Sequence, residues 1–510
     1  MKQTTIILFI ALSMSIVQTN LNGQAKENLS LPVKLKMEPV SVGYSFQFHS
    51  AILNEDRTVM ISLPDDYYTT TKKYPVLYMP DGQWHFIHTT QAVGVLSGNG
   101  IIPKMIIVAV QTLDNRSSDL GATPDETGDL GGGVDNFLDF MKKELIPFVE
   151  KNYRTYPYRL LSGSSLGGIF TVHTFLKDPE YFNAYLAYSP SMWWENQFYV
   201  KKMDEFLSNN PGLQNYFYIN VANEGLGMGV NALAEVFKNK APEKFIWQFE
   251  EYPQEIHETT AYKATFNGLK FVFSDWHSQK LDFSISGYLL KQGDALSVAI
   301  KDSDRPIHYT LDGSIPTIHS PLYEKPIVIN KPTTVKALSL FGMNIPGDCD
   351  SLNINYLQKF NAVKDLPELR NGLNYSYYEG NWDKLPKFEN LTPARSGIAD
   401  SIDMSTRKME TNFAFRFTGY LDIPEDNAYK FYLSSDDGSQ LILDHTLIID
   451  NDGLHGTIMK ENRIFLHRGK HPIEILFLQG TGGFGLLLEY ESQRIAKGQI
   501  PAQAFYVRKN

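Results

Sequence analysis

The chain has 510 residues, enough for three or four domains at roughly 100–200 residues each. A hydrophobic share of 43% with 20% charged residues fits folded globular domains and excludes an intrinsically disordered chain. The formal charge of −10 gives no basis for nucleic acid or an anionic membrane as partner, and the lone Cys349 excludes an intrachain disulfide and a zinc site of several thiolates.

In chain order, Lys2, the apolar stretch from Ile6 to Val17 and the small residues of Gly23-Gln24-Ala25 read as a secretory signal over residues 1–25. The mature product is therefore expected to be exported, periplasmic or extracellular, with no transmembrane helix left after signal removal. Residues 40–277 alternate short apolar runs with amphipathic stretches. Val76-Leu77-Tyr78-Met79 and Met105 to Val110 are unbroken apolar runs, as in strands covered on both faces. Asn136 to Tyr153 carries Phe137, Phe140, Met141, Leu145 and Phe148 at helical spacing. This alternation predicts an α/β fold, a doubly wound and mostly parallel sheet with helices on both faces. After Trp276 the texture changes to short alternating runs and turn signals, which predict two all-β sandwich domains. The first covers 281–358, a polar linker covers 359–370, and the second covers 371–510.

The chemistry gathers around Gly163-Ser164-Ser165-Leu166-Gly167. It lies between an apolar strand, Leu160-Leu161, and an apolar helix starting near Ile169, the setting of a nucleophile elbow. A serine on so sharp a turn needs small neighbours two residues away, and the following helix points its amino end at a developing oxyanion. Ser165 is thus the expected nucleophile. The other triad members follow in the order acid, then histidine. Glu224, beyond the strand-like Phe217 to Val221, is the expected acid, and His257, beyond Phe245 to Phe249, the expected base. Their rivals are Glu250, Glu251 and Glu255 for the acid and His277 for the base. The backbone amide of Leu166 supplies one oxyanion donor. Asp81-Gly82-Gln83, directly after the Val76–Met79 run, offers the second through Gln83 or Gly82. Catalysis of this kind needs no cofactor.

Residues 46–276 resemble the esterase family that includes esterase D, siderophore esterases of the enterobactin type, and family-one carbohydrate esterases. The likeness rests on Tyr74-Pro75-Val76-Leu77-Tyr78 with Asp81-Gly82, on the Ser165 motif with Gly168, and on Ser189-Pro190-Ser191-Met192-Trp193-Trp194. It implies a serine carboxylic-ester hydrolase. Trp193 and Trp194 either wall the substrate pocket or pair in the core, and Arg116, with Asn115, is a candidate substrate contact on a loop.

Residues 307–338 resemble the small sandwich at the end of chitobiases, carried by Tyr309-Thr310-Leu311-Asp312-Gly313-Ser314, and imply a spacer or a weak polysaccharide contact. Residues 372–508 resemble the protective-antigen-type (PA-fourteen) sandwich through Ser434-Ser435-Asp436-Asp437-Gly438-Ser439 and Asp450-Asn451-Asp452-Gly453. In sugar-binding members adjacent aspartates of such a loop hold Ca²⁺, so Asp436 and Asp437 are candidate Ca²⁺ ligands, although Asp-Asp-Gly is also an ordinary turn. Together the modules point to removal of acetyl or feruloyl groups from an ester-bearing polysaccharide or oligosaccharide. Cleavage of a siderophore trilactone is the alternative within the same chemistry. A carbohydrate-binding protein with an inactive hydrolase domain is the alternative from another class, and acyl transfer to a sugar hydroxyl shares every catalytic part.

Overall fold

Strands β1 (Tyr44–Ser50), β2 (Glu55–Ser62), β3 (Tyr74–Met79), β4 (Ile106–Val110), β5 (Thr155–Ser164), β6 (Ala184–Tyr188), β7 (Tyr216–Val221) and β8 (Ile246–Glu251) form one sheet in the order β1-β2-β4-β3-β5-β6-β7-β8. The computed structural model describes residues 41–121, 131–301 and 305–509, so the expected signal at 1–25 lies outside the described residues. From β4 to β8 every neighbouring pair is parallel, while β1 and β2 join antiparallel at one edge.

The period of two within β3 places Val76 and Tyr78 in the core on one face, and Leu77 and Met79 in the core on the other. Helix α1 (Gly82–Gly98) and helix α6 (Thr260–Val272) cover the second face through Phe86, Val93, Leu96, Ala264, Leu269 and Val272. The first face is covered by α2, a helical run over 134–152 with a π turn at Met141–Leu145, and by α3 (Leu166–Lys177), α4 (Trp194–Asn209) and α5 (Val230–Lys240). Burial on both sides is why β3 and β4 carry no charged or amide side chain.

Two three-stranded sheets follow, β12-β10-β9 and β11-β13-β14. Their strands are β9 (Asp282–Gly287), β10 (Leu296–Lys301), β11 (Ile307–Thr310), β12 (Ile327–Ile329), β13 (Thr333–Phe341) and β14 (Ile345–Ile354). They close over a small core of their own, with Val298, Val335 and Ala337 at its centre. Leu338, Leu340, Phe341 and Ile345, however, belong to the second-face core of the esterase sheet, beside Tyr156 and Trp276. Trp276 donates its indole N–H to the carbonyl of Pro346 at 3.0 Å, and Arg305 bonds Asp275 at 2.7 Å. The two units share one hydrophobic interior.

The third unit is a sandwich of a five-stranded and an eight-stranded sheet. Its core is rich in aromatics: Phe413, Phe415 and Phe417 alternate inward along Phe413–Ile423, beside Phe477 of the adjoining strand and facing Phe431 of the other sheet. The segment 359–370 is less of a free linker than its polar composition suggested. Lys359–Phe360 pairs parallel with Phe465 and Leu466, and Leu369–Asn371 pairs with the final strand. Backbone pairing needs no apolar side chains, so polarity alone did not reveal it. Among the described residues no helix is long and apolar enough to cross a membrane.

Candidate active site

All the candidate side chains of the first domain emerge beyond the carboxyl ends of parallel strands, where the connecting loops gather. Ser165 follows β5 directly and holds φ 59, ψ −115, a conformation that costs a non-glycine residue about 1–3 kcal/mol. The glycines explain how the turn is tolerated. A Cβ on Gly163 would lie 2.1 Å from the carbonyl oxygen of Gly167, and one on Gly168 would lie 2.7 Å from Pro190. Leu166 opens α3, so its amide is one of the first-turn donors that have no acceptor within the helix.

Glu224 and His257 come from the loops after β7 and β8. His257 Nδ1 is hydrogen-bonded to Glu224 Oε1, and Ser189 Oγ donates to the same oxygen at 2.9 Å. Glu224 is mostly covered and His257 about one-third exposed. The pair leaves the other imidazole nitrogen, Nε2, free of the acid. The two loops are tied by the amide of Asn223, which donates to the carbonyl of Glu255 at 3.0 Å. Ser165 Oγ lies 3.3 Å from Ser191 Oγ, and among the described residues this is its hydrogen bond. A hydroxyl so placed turns toward a base by rotation about one bond, and such contacts commonly tighten only with substrate.

The rival acids and base are engaged elsewhere. Glu250 accepts from Tyr218 at 2.6 Å and from Asn267 at 3.1 Å, on the face of α6. Glu251 accepts from Asn231, and Glu255 from Thr259. The His277 ring packs on Phe341, at the junction with the second domain.

Asp81 is buried, has φ 58 and caps α1, leaving Gly82 and Gln83 as first-turn amides of that helix. The Gln83 carboxamide bonds Thr112 through both its ends at 3.3 Å. Arg116, expected as a substrate contact, is held in an ion pair with Asp81. Its Nε and Nη2 bond the two oxygens of Asp81 at 2.9 Å each, and Nη2 also reaches the carbonyl of Ser164 at 3.2 Å. Thr112 donates to Asp81 Oδ1 at 2.5 Å. The guanidinium also sits 5.3 Å from the ring of Trp84, which is exposed. Asn115 is likewise engaged, with Glu55 at 2.8 Å.

The two tryptophans part company. Trp193 is half-exposed after β6, whereas Trp194 packs against the core, their rings 5.7 Å apart. Glu195, Asn196 and Gln197 then take left-handed conformations before the helix proper. Sequence reasoning missed Ser189, Ser191, Asp81 and Thr112 as parts of this site. Ser189-Pro190-Ser191 was visible as a motif, but a serine that orients an acid carries no local signature.

In the third domain Asp437 is consumed by its own loop, accepting from the amides of His455 at 2.8 Å and Gly480 at 2.9 Å. Asp436 accepts from Thr457 at 3.2 Å. Among the described residues no group of three or more ligating side chains collects there or elsewhere.

The first domain is an α/β fold, a mostly parallel sheet flanked by helices, with a serine at a strand-to-helix elbow and a His–Glu pair on later loops. Comparison with known proteins agrees. The family model described as "Putative esterase" matches residues 50–263, "PA14 domain" matches 369–504, and "Fn3 associated" matches 296–344, a different description from the chitobiase resemblance of that segment, which stays unconfirmed. Residues 50–263 are thus similar to the putative-esterase family and residues 369–504 to the PA14 domain.

Among curated relatives, the ferri-bacillibactin esterase BesA of Bacillus subtilis is 32% identical over 30% of this chain and 61% of its own length. The siderophore triacetylfusarinine C esterase of Aspergillus fumigatus is 30% identical over 31% of this chain and 59% of its own. This chain therefore spans about three-fifths of the length of these relatives. A solved structure of the BES protein from Bacillus cereus is 25% identical, covering 48% of this chain and 99% of that one, with a TM-score of 0.43.

Proposed function

We propose that the protein is an exported serine carboxylic-ester hydrolase in which Ser165, His257 and Glu224 act as nucleophile, base and orienting acid. The observation that carries the reading is the His257–Glu224 hydrogen bond on loops beside the Ser165 elbow. His257 takes the Ser165 proton as Oγ attacks the ester carbonyl. The amides of Leu166 and of Gln83 or Gly82 receive the oxyanion at the ends of α3 and α1. Collapse of the tetrahedral intermediate breaks the ester bond, and His257 returns the proton to the leaving alcohol. Water, deprotonated by His257, then releases the acid and restores Ser165. A sugar hydroxyl in place of that water would make the same enzyme an acyl transferase.

The substrate we favour is an acetyl or feruloyl ester on a polysaccharide, with the esterase carried beside two β-sandwich modules. A siderophore trilactone is the second reading, favoured by the relatives named as ferri-bacillibactin esterase and siderophore triacetylfusarinine C esterase. Hydrolysis of p-nitrophenyl acetate, methyl ferulate and a catecholate trilactone by the native chain and by Ser165→Ala tests both. Loss of about 10⁴-fold or more in kcat on substitution is expected, and the ester turned over fastest selects between the readings. Activity that survives Ser165→Ala would remove the serine mechanism, and inactivity on all three esters would favour the binding-protein alternative.

A further inference from the structure

The second and third domains meet along a cleft that the ester chemistry leaves unused. Two adjoining concavities of about 610 and 210 Å³ share Tyr288, Lys430 and Arg463 in their walls. Together they fall in the size range of small-ligand sites. The cleft is pinned at its base by the connecting segment. The amide of Leu357 donates to the carbonyl of Leu289 on one side, and the amide of Phe465 to the carbonyl of Gln358 on the other, both at 2.8 Å. The Tyr288 ring rests 6.0 Å from that of Phe465 across the junction. Main-chain bonds to both domains make this a fixed groove.

Its lining suits a particular ligand. Tyr356 is 39% exposed and Tyr288 partly exposed, so the groove presents two aromatic rings. Asn355 and Gln358, together with the Arg463 guanidinium, line it as well, and among the described residues their side chains make no hydrogen bond to protein. Lys430 is neutralised by Glu461 at 2.7 Å, and Arg463 shares its wall with Glu491, so charge is balanced across the groove. Flat apolar faces interleaved with free amide and guanidinium donors, with no net charge to attract an ion, match a polyhydroxylated ring. Such a ring offers an apolar C–H face and a rim of hydroxyls.

We propose that this groove binds an uncharged oligosaccharide chain, with Tyr288 and Tyr356 as platforms and Asn355, Gln358 and Arg463 as hydrogen-bonding partners. The site is distinct from the acidic loop at Asp436. Lys430 and Asp436 lie six residues apart on the strand Asn427–Asp436, about 20 Å at the usual rise. It does not depend on the ester reading, because binding of an unesterified sugar does not involve Ser165.

Calorimetric titration of the full chain with unsubstituted hexaoses of xylose, β-1,4-linked glucose and N-acetylglucosamine tests it. At least one should bind with a Kd between about 10 μM and 1 mM, and Tyr356→Ala and Gln358→Ala should each weaken it about tenfold. Both side chains are exposed, so thermal unfolding of the variants should match the native chain and exclude misfolding as the cause. Absence of binding at about 1 mM of every hexaose overturns the proposal. So does binding that Tyr356→Ala leaves intact, and its loss in Asp437→Asn would then place the sugar on the acidic loop.

Discussion

One planar guanidinium, that of Arg116, spans the turn that begins α1 and the residue that precedes the nucleophile. Its bidentate bond to Asp81 and its contact with the Ser164 carbonyl hold the two proposed oxyanion donors at a common spacing. Arg116→Ala is therefore expected to lower kcat on p-nitrophenyl acetate by about 10- to 100-fold while KM changes little. Arg116→Lys should recover little of this, since one ammonium cannot make the forked contact. A rise in KM at unchanged kcat would instead return Arg116 to the substrate-contact role expected from sequence. At this scale the elbow was legible because Gly163 and Gly167 have a steric meaning at fixed offsets. The employment of Arg116 was not, because Asp81 and Ser164 are remote from it along the chain.

Helices α1 and α6 pack together over the second face of the sheet, and their contact includes a partly buried titratable side chain. His88 shares a hydrogen bond of 3.0 Å with His85, packs with its ring 4.3 Å from that of Tyr262 at a tilt of 36° and keeps its Nδ1 buried without a partner. Burial, and secondarily the neighbouring His85, pushes its pKa down to about 4. The group is then neutral in both folded and unfolded chains above about pH 6.5. As pH falls from about 6.5 toward 4 the unfolded chain takes up the proton first, so stability is lost in that window. His88→Gln should accordingly show a smaller fall in Tm between about pH 7.5 and pH 5 than the native chain. An equal fall in both would show that His88 does not titrate this way. The helix itself was not called from the sequence, and neither was the packing that buries its histidines. The expected helix at 136–153 appears within α2, but its π turn and the left-handed residues Glu195 to Gln197 carry no periodic signal.

Across the whole molecule the esterase and second domains are joined by an apolar seam rather than by a tether. Trp276, buried on the esterase side, faces Phe341 at 6.2 Å and is anchored to Pro346, with Leu338, Leu340 and Ile345 beside them. Trp276→Ala is expected to cost about 3–5 kcal/mol and to lower the unfolding transition of both units together in calorimetry. Two separated transitions, with only the esterase one shifted, would show that the seam does not couple them. The sequence placed a boundary near residue 277 from its change of texture. That the boundary is a shared core was hidden, since an apolar residue in β13 reads the same whether it faces its own sheet or a neighbour.

The amino-acid sequence by itself determined the three-part organisation, the doubly wound sheet and the serine elbow. Each is encoded locally: unbroken apolar runs demand a sheet covered on both faces, and small residues around Ser165 permit a strained turn. Glu224 was the expected acid from its place after Phe217 to Val221, but its contact with His257 exists only in the tertiary structure, which leaves Glu250 and Glu251 within β8 and Glu255 on Thr259. Tertiary structure likewise turned Arg116 inward, bound up Asp437 with backbone amides, and built a polar groove from segments of two domains. Contacts between residues distant along the chain depend on the packing of whole elements, and no local pattern records them.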